Sequence, residues 1–147
     1  MDLTALALWL VTALGGFLMM GIWIARGGPR AGTTRLPVPV LFGHFALAAT
    51  GLVVWIIYVV TDAKALAWTA FALLVPVALL GFAMLARWIP VYRARATAPA
   101  GAGAGGSGGG PAEQGEPPER GFPVPVVAGH GLFAVATVIL VLLAALS

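Results

Sequence analysis

The sequence predicts an all-α integral membrane protein with four transmembrane helices, arranged as two tandem two-helix hairpins. Three observations carry this expectation. Hydrophobic residues make up 61% of the 147 residues and charged residues only 9%, too little charge to cover a soluble domain of this size. Four apolar runs reach the roughly 20 residues a bilayer-crossing helix needs. The phrase "PVPVLFGH" at 37–44 returns as "PVPVVAGH" at 123–130, a sign of internal duplication.

The first run, residues 3–25, follows "MDLTALALWL". Its acidic start and its length differ from the basic n-region and short apolar core of a secretory signal, so it reads as a retained span. "RGGPR" at 26–30 supplies the Gly-Gly-Pro that stops it. The second span, 38–60, opens on the first Pro-Val-Pro-Val, and proline fits a first helical turn because its missing N–H has no partner there. Thr61-Asp62 ends it. The third span, 65–89, is expected to stop at Pro90, with Pro76 marking a kink that neighbouring helices relieve. Residues 96–119 are rich in Gly, Ala and Pro and read as a disordered cytoplasmic linker. Their Gly-rich run is no phosphate loop, because neither Lys-Ser nor Lys-Thr follows it. The fourth span is 124–146. No run alternates as a barrel strand does.

Loop charge sets direction. Arg26, Arg30 and Arg35 lie between spans one and two, and Arg87, Arg93, Arg95 and Arg120 between spans three and four, against Lys64 alone on the other side. The positive-inside rule therefore makes both longer loops cytoplasmic and both termini external, in a multi-pass protein of the plasma membrane. The same rule accounts for the basic balance, and no basic run interleaved with aromatics suggests nucleic acid. Trp9, Trp55, Tyr58 and Trp68 fall near the outer boundary and Trp23, Trp88 and Tyr92 near the inner one, where aromatic side chains anchor spans at headgroups. Cysteine is absent, which removes disulfides, thiolate metal sites and cysteine nucleophiles.

At an offset of 86, Pro37, Val38, Pro39, Val40, Gly43, His44 and Ala48 match Pro123, Val124, Pro125, Val126, Gly129, His130 and Ala134. Spans one and three echo each other faintly, through "ALALW" at 5–9 and "ALAW" at 65–68. A duplicated hairpin keeps its orientation, so the copies would be related by a pseudo-two-fold axis along the membrane normal, a parallel repeat. His44 and His130, the chain's two histidines, then lie at equal depth near the cytoplasmic side, about 7–8 Å into their helices at 1.5 Å per residue.

Ionisable groups within spans default to a functional hypothesis, and three readings compete. The first makes the pair axial ligands of one b-type haem, one imidazole from each of two facing helices, with Gly43 and Gly129 leaving a flat macrocycle room beside the backbone. The layout resembles the small four-helix membrane cytochromes b in architecture. Members of that group typically carry four histidines for two haems. One pair allows one haem, without the two-haem path across the membrane. The second reading makes the histidines structural, bonded to a carbonyl or to Thr50 or Thr137 on a neighbouring helix, in a non-catalytic accessory or scaffold subunit of a larger complex. The third places a quinone headgroup or a metal ion at the pair, though two imidazoles fall short of the four ligands of a closed zinc site.

No acidic residue lies within a span, which argues against a pump or ion-coupled transporter. No nucleophile has a base beside it in sequence, so the chain is not read as an enzyme by itself. Met19 and Met20 are read as packing residues. The reading carried forward is a bilayer protein holding one haem b between His44 and His130, for electron transfer or haem handling. Its partners would be lipid, and a larger membrane complex or further copies of itself.

Overall fold

The computed structural model describes residues 1–97 and 116–147. It is all-helical: α1 (Asp2–Ala25), α2 (Val38–Thr61), α3 (Lys64–Ala96) and α4 (Val124–Leu146), with a short 3-10 helix at Pro118–Gly121. All four α-helices are long and apolar enough to cross a membrane. At 1.5 Å per residue, the 24 residues of α1 span about 36 Å, slightly more than a ~30 Å hydrocarbon layer.

Sequence explains the helices locally. In an apolar solvent a chain must satisfy its backbone internally, and the span threonines do the same with their hydroxyls. Thr12, Thr50, Thr69 and Thr137 each donate to the carbonyl four residues earlier, at 2.8–2.9 Å. Thr50 and Thr137 are thus occupied within their own helices and do not reach the histidines; of the two partners the structural reading offered, a threonine or a carbonyl, only the carbonyl is found.

Helix α1 ends in a Schellman motif. Gly27 takes φ +78°, its N–H donates to Ile24 O, and the Gly28 N–H donates to Trp23 O. Gly28 lies so close beneath the Trp23 indole that a Cβ there would overlap the ring. α2 and α3 are joined through Asp62 and Ala63 alone, with Asp62 in the left-handed region at φ 55°.

Two boundaries differ from the sequence reading. α3 does not stop at Pro90 but continues to Ala96. Proline removes one N–H and crowds the preceding turn, yet "VYRARA" beyond it contains good helix formers, and Arg93 and Arg95 sit favourably at the negative end of the helix dipole. Residues 98–115 of the expected disordered linker lie outside the described residues. Its described carboxyl end, from Glu116 onward, is packed rather than loose: Glu119 is fully buried. The Glu119 carboxylate accepts from the Arg35 backbone N–H and from Thr34 Oγ1, the latter at 3.0 Å. The Trp88 indole N–H donates to its carbonyl at 3.1 Å.

The helices form a four-membered ring. α2 packs along α3 and α1 along α4, α3 and α4 also adjoin, and α1 touches α2 least. The diagonal pairs α1/α3 and α2/α4 do not meet through their backbones. Packing concentrates at the two ends. One cluster joins Ala5, Trp9, Trp55, Tyr58, Ala67, Ala70, Leu74 and Val141 with neighbours from all four helices. The other joins Trp23, Leu36, Leu41, Trp88 and Phe122 at the arginine-rich end. Trp9, Trp23, Trp55, Tyr58 and Trp88 are therefore buried inside the bundle rather than facing headgroups; of the aromatics placed in the belts, only Trp68 and Tyr92 are exposed.

Candidate cofactor site

Between the two end clusters lies a waist in which α3 contributes the buried Val77 but α1 and α4 bury little. No residue of α1 from Leu10 to Ile22, and none of α4 before Thr137, is buried. His44 on α2 and His130 on α4 occupy this waist. They sit on diagonal helices, so their rings meet across the middle of the bundle, with centroids 6.3 Å apart and planes inclined at 51°.

Each ring is oriented by the helix beside it. His44 Nδ1 lies 2.9 Å from the Val77 carbonyl of α3, and His130 Nδ1 lies 2.9 Å from the Thr12 carbonyl of α1. A carbonyl only accepts, so each Nδ1 carries the proton and donates it. In the neutral imidazole that leaves the Nε2 lone pair free. No hydrogen bond to either Nε2 is present among the described residues, and no fully buried polar side-chain atom lacks a partner. Each Nε2 therefore keeps accessible surface. A proton on one ring nitrogen held by a carbonyl is the usual arrangement when the other nitrogen ligates a metal.

Glycines set how closely the rings approach. A Cβ on Gly81 would come within 3.3 Å of His44 Cε1, and one on Gly16 within 3.2 Å of His130 Cε1. Gly43 and Gly129, the glycines singled out from sequence, do not contact the imidazoles. A Cβ on Gly43 would meet nothing within 4 Å, and one on Gly129 only the Phe133 ring edge at 4.0 Å. They border open space, whereas Gly16 and Gly81 form the floor on which the rings rest.

Gly16, Gly81 and the carbonyls of Thr12 and Val77 are absent from the sequence reading, although a signal for them exists. At an offset of 65, Leu14, Gly16, Phe17, Met19, Trp23 and Ile24 match Leu79, Gly81, Phe82, Met84, Trp88 and Ile89. The same offset takes Thr12 to Val77. This register is clearer than the alanine-leucine echo noted above. It pairs the two glycines under the rings, the two carbonyl acceptors, and the two tryptophans bound by the loop segments.

Chemically, the site offers two neutral nitrogen donors from opposite sides. No third His, Cys, Asp or Glu joins them in a metal-ligating group among the described residues. A donor set of two suits a metal whose remaining ligands come from a macrocycle. An imidazole–metal bond of about 2 Å on each side, with ~1.1 Å from nitrogen to ring centre, gives a centroid separation of about 6 Å, and the observed value is 6.3 Å. The two donors and their ring separation thus suit a pair of imidazoles on one metal ion. Compared with protein-family models, curated proteins and solved structures, the chain matches none.

Proposed function

We propose that this protein binds one b-type haem between His44 and His130 and serves in electron transfer or haem handling within a membrane. The observation that carries the reading is the pair itself: two imidazoles 6.3 Å apart across the bundle, each with Nδ1 tied to a backbone carbonyl and Nε2 free. A b-type haem, when bound, supplies one-electron redox chemistry. His44 and His130 would hold it, one imidazole from each of two diagonal helices. The Val77 and Thr12 carbonyls would fix each tautomer and raise the basicity of the ligating nitrogen. Gly43 and Gly129 would leave room beside the ligand helices, and the two end clusters would keep water from the waist.

The equivalence of the two ligand environments supports a tandem duplication of a two-helix hairpin, with a parallel pseudo-two-fold axis. In this reading α1–α2 and α3–α4 are the copies, and each histidine leans on the first helix of the other hairpin, His44 of α2 on α3 and His130 of α4 on α1. The arginine-rich end faces the cytoplasm and both termini lie outside the plasma membrane, in accord with loop charge.

The test is an absorption spectrum of the detergent-purified protein from haem-replete cells. Reducible Soret and α bands are expected, lost in both His44→Ala and His130→Ala with helix content unchanged. A folded protein without any chromophore would instead make the histidines structural and the chain an accessory subunit, since the Nδ1–carbonyl bonds serve packing equally well.

A further inference from the structure

At the arginine-rich end, a cleft of ≈ 540 Å³ is lined by Gly32, Thr33, Arg35, Pro90, Val91, Ala94, Arg95, Pro117 and Arg120. A smaller cavity beside it, lined by Arg35, Arg87 and Pro90 among others, shares its wall. Arginines thus line this region from three separate parts of the chain: the α1–α2 loop, the last turns of α3 and the short 3-10 helix. Their charge is poorly balanced. The single ion pair among the described residues joins Arg120 to Glu116. The buried Glu119 carboxylate is spent on Thr34 Oγ1 and on the backbone N–H of Arg35 rather than on its guanidinium. Arg95 donates to the Arg120 carbonyl at 3.2 Å, and Arg87 to the Arg35 carbonyl at 3.5 Å. Arg35 and Arg95 have no carboxylate partner among the described residues.

Depth identifies the kind of ligand. α3 has 33 residues, about 50 Å at 1.5 Å per residue, so it outruns a ~30 Å hydrocarbon core. The cleft begins at Pro90, where the apolar part of α3 gives way to "VYRARA". That is the level of lipid headgroups. Arginine presents a planar fork of donors matched to phosphate oxygens, and basic pockets at the ends of spans bind anionic headgroups.

We infer that Arg35 and Arg95, with Arg120 at the rim, form a binding site for an anionic phosphate group. Its two available sources are a phospholipid headgroup and free phosphate. The site is separate from the histidine pair and stands or falls independently of haem binding.

Native mass spectrometry of the full-length protein released from micelles tests this, with phosphatidylglycerol and phosphatidylcholine offered in equal amounts. Phosphatidylglycerol should be retained preferentially, and Arg35→Gln and Arg95→Gln should each lower its retention about fivefold. Lys64→Gln, at the opposite end, should leave retention unchanged. Arg95→Lys keeps the charge without the fork and should fall between the native and Arg95→Gln proteins. Millimolar inorganic phosphate is then added as competitor. Displacement of the lipid assigns the site to free phosphate as well, and persistence assigns it to the headgroup. Equal retention of the two lipids, or retention insensitive to both arginine substitutions in a protein of native helix content, overturns the inference.

Discussion

At the scale of single residues, the imidazoles depend on what lies beneath them. Gly16→Ala and Gly81→Ala would each bring a methyl group to about 3.2–3.3 Å from a ring carbon, so the imidazole must yield and its carbonyl bond loosen. Overpacking of this kind costs ~1–3 kcal/mol, against a helix-propensity gain of ~1 kcal/mol for Ala over Gly. A net loss of up to about 2 kcal/mol is expected, measured as a lower thermal midpoint in detergent. Gly43→Ala is expected to behave differently. Its Cβ meets nothing in the protein, so the midpoint should rise with the helix-propensity gain of about 1 kcal/mol, while the haem retained per chain falls. The histidines themselves were legible in the sequence, because a duplicated phrase and a loop-charge argument put them at one depth. Their acceptors were not, since a backbone carbonyl has no side-chain signature. Gly16 and Gly81 were legible in principle, but only at the offset of 65, a different register from the faint alanine-leucine echo at the start of the two spans.

At the scale of elements, the extents of α1 and α2 follow from hydropathy to within a residue, because each run is closed by glycine, proline or a charge, and α4 opens directly after Pro123. α3 was misjudged at Pro90: the run of helix formers after it outweighed the proline. The short helix at Pro118–Gly121 could not be foreseen. Glu119 stands in a Gly- and Pro-rich context that reads as solvated, and its partners are a threonine and a backbone N–H about 85 residues away in sequence. Hydropathy likewise says that a tryptophan belongs at a boundary but not whether it faces headgroups or the bundle, hence the inward turn of Trp23 and Trp88. Glu119→Ala should leave two donors without their acceptor and cost ~1–3 kcal/mol. Thermal unfolding followed by helix content would show the loss, and a midpoint unchanged from the native protein would mean that the segment is not held by this carboxylate.

At the scale of the whole molecule, orientation is open to a direct measurement, because the chain has no cysteine. With the arginine-rich end inside, Ala63→Cys should react with a membrane-impermeant maleimide in intact cells, and Ser107→Cys only after permeabilisation. The opposite pattern would invert the topology. The order of helices around the ring has a mechanical consequence. The closely packed pairs are α1 with α4 and α2 with α3. The chain passes from one pair to the other twice, between α1 and α2 and between α3 and α4, and the helix ends it leaves and enters, Ala25, Val38, Ala96 and Val124, all lie at the arginine-rich end. The molecule is thus built like tongs joined at one end. At the far end, the jaws are closed by side-chain packing such as Trp9 against Gly51 and by the hydrogen bond from the Trp55 indole N–H to the Asp2 carbonyl. Opening the jaws at that end would break this packing and the one hydrogen bond to the Asp2 carbonyl, but none of the hydrogen bonds within the helices.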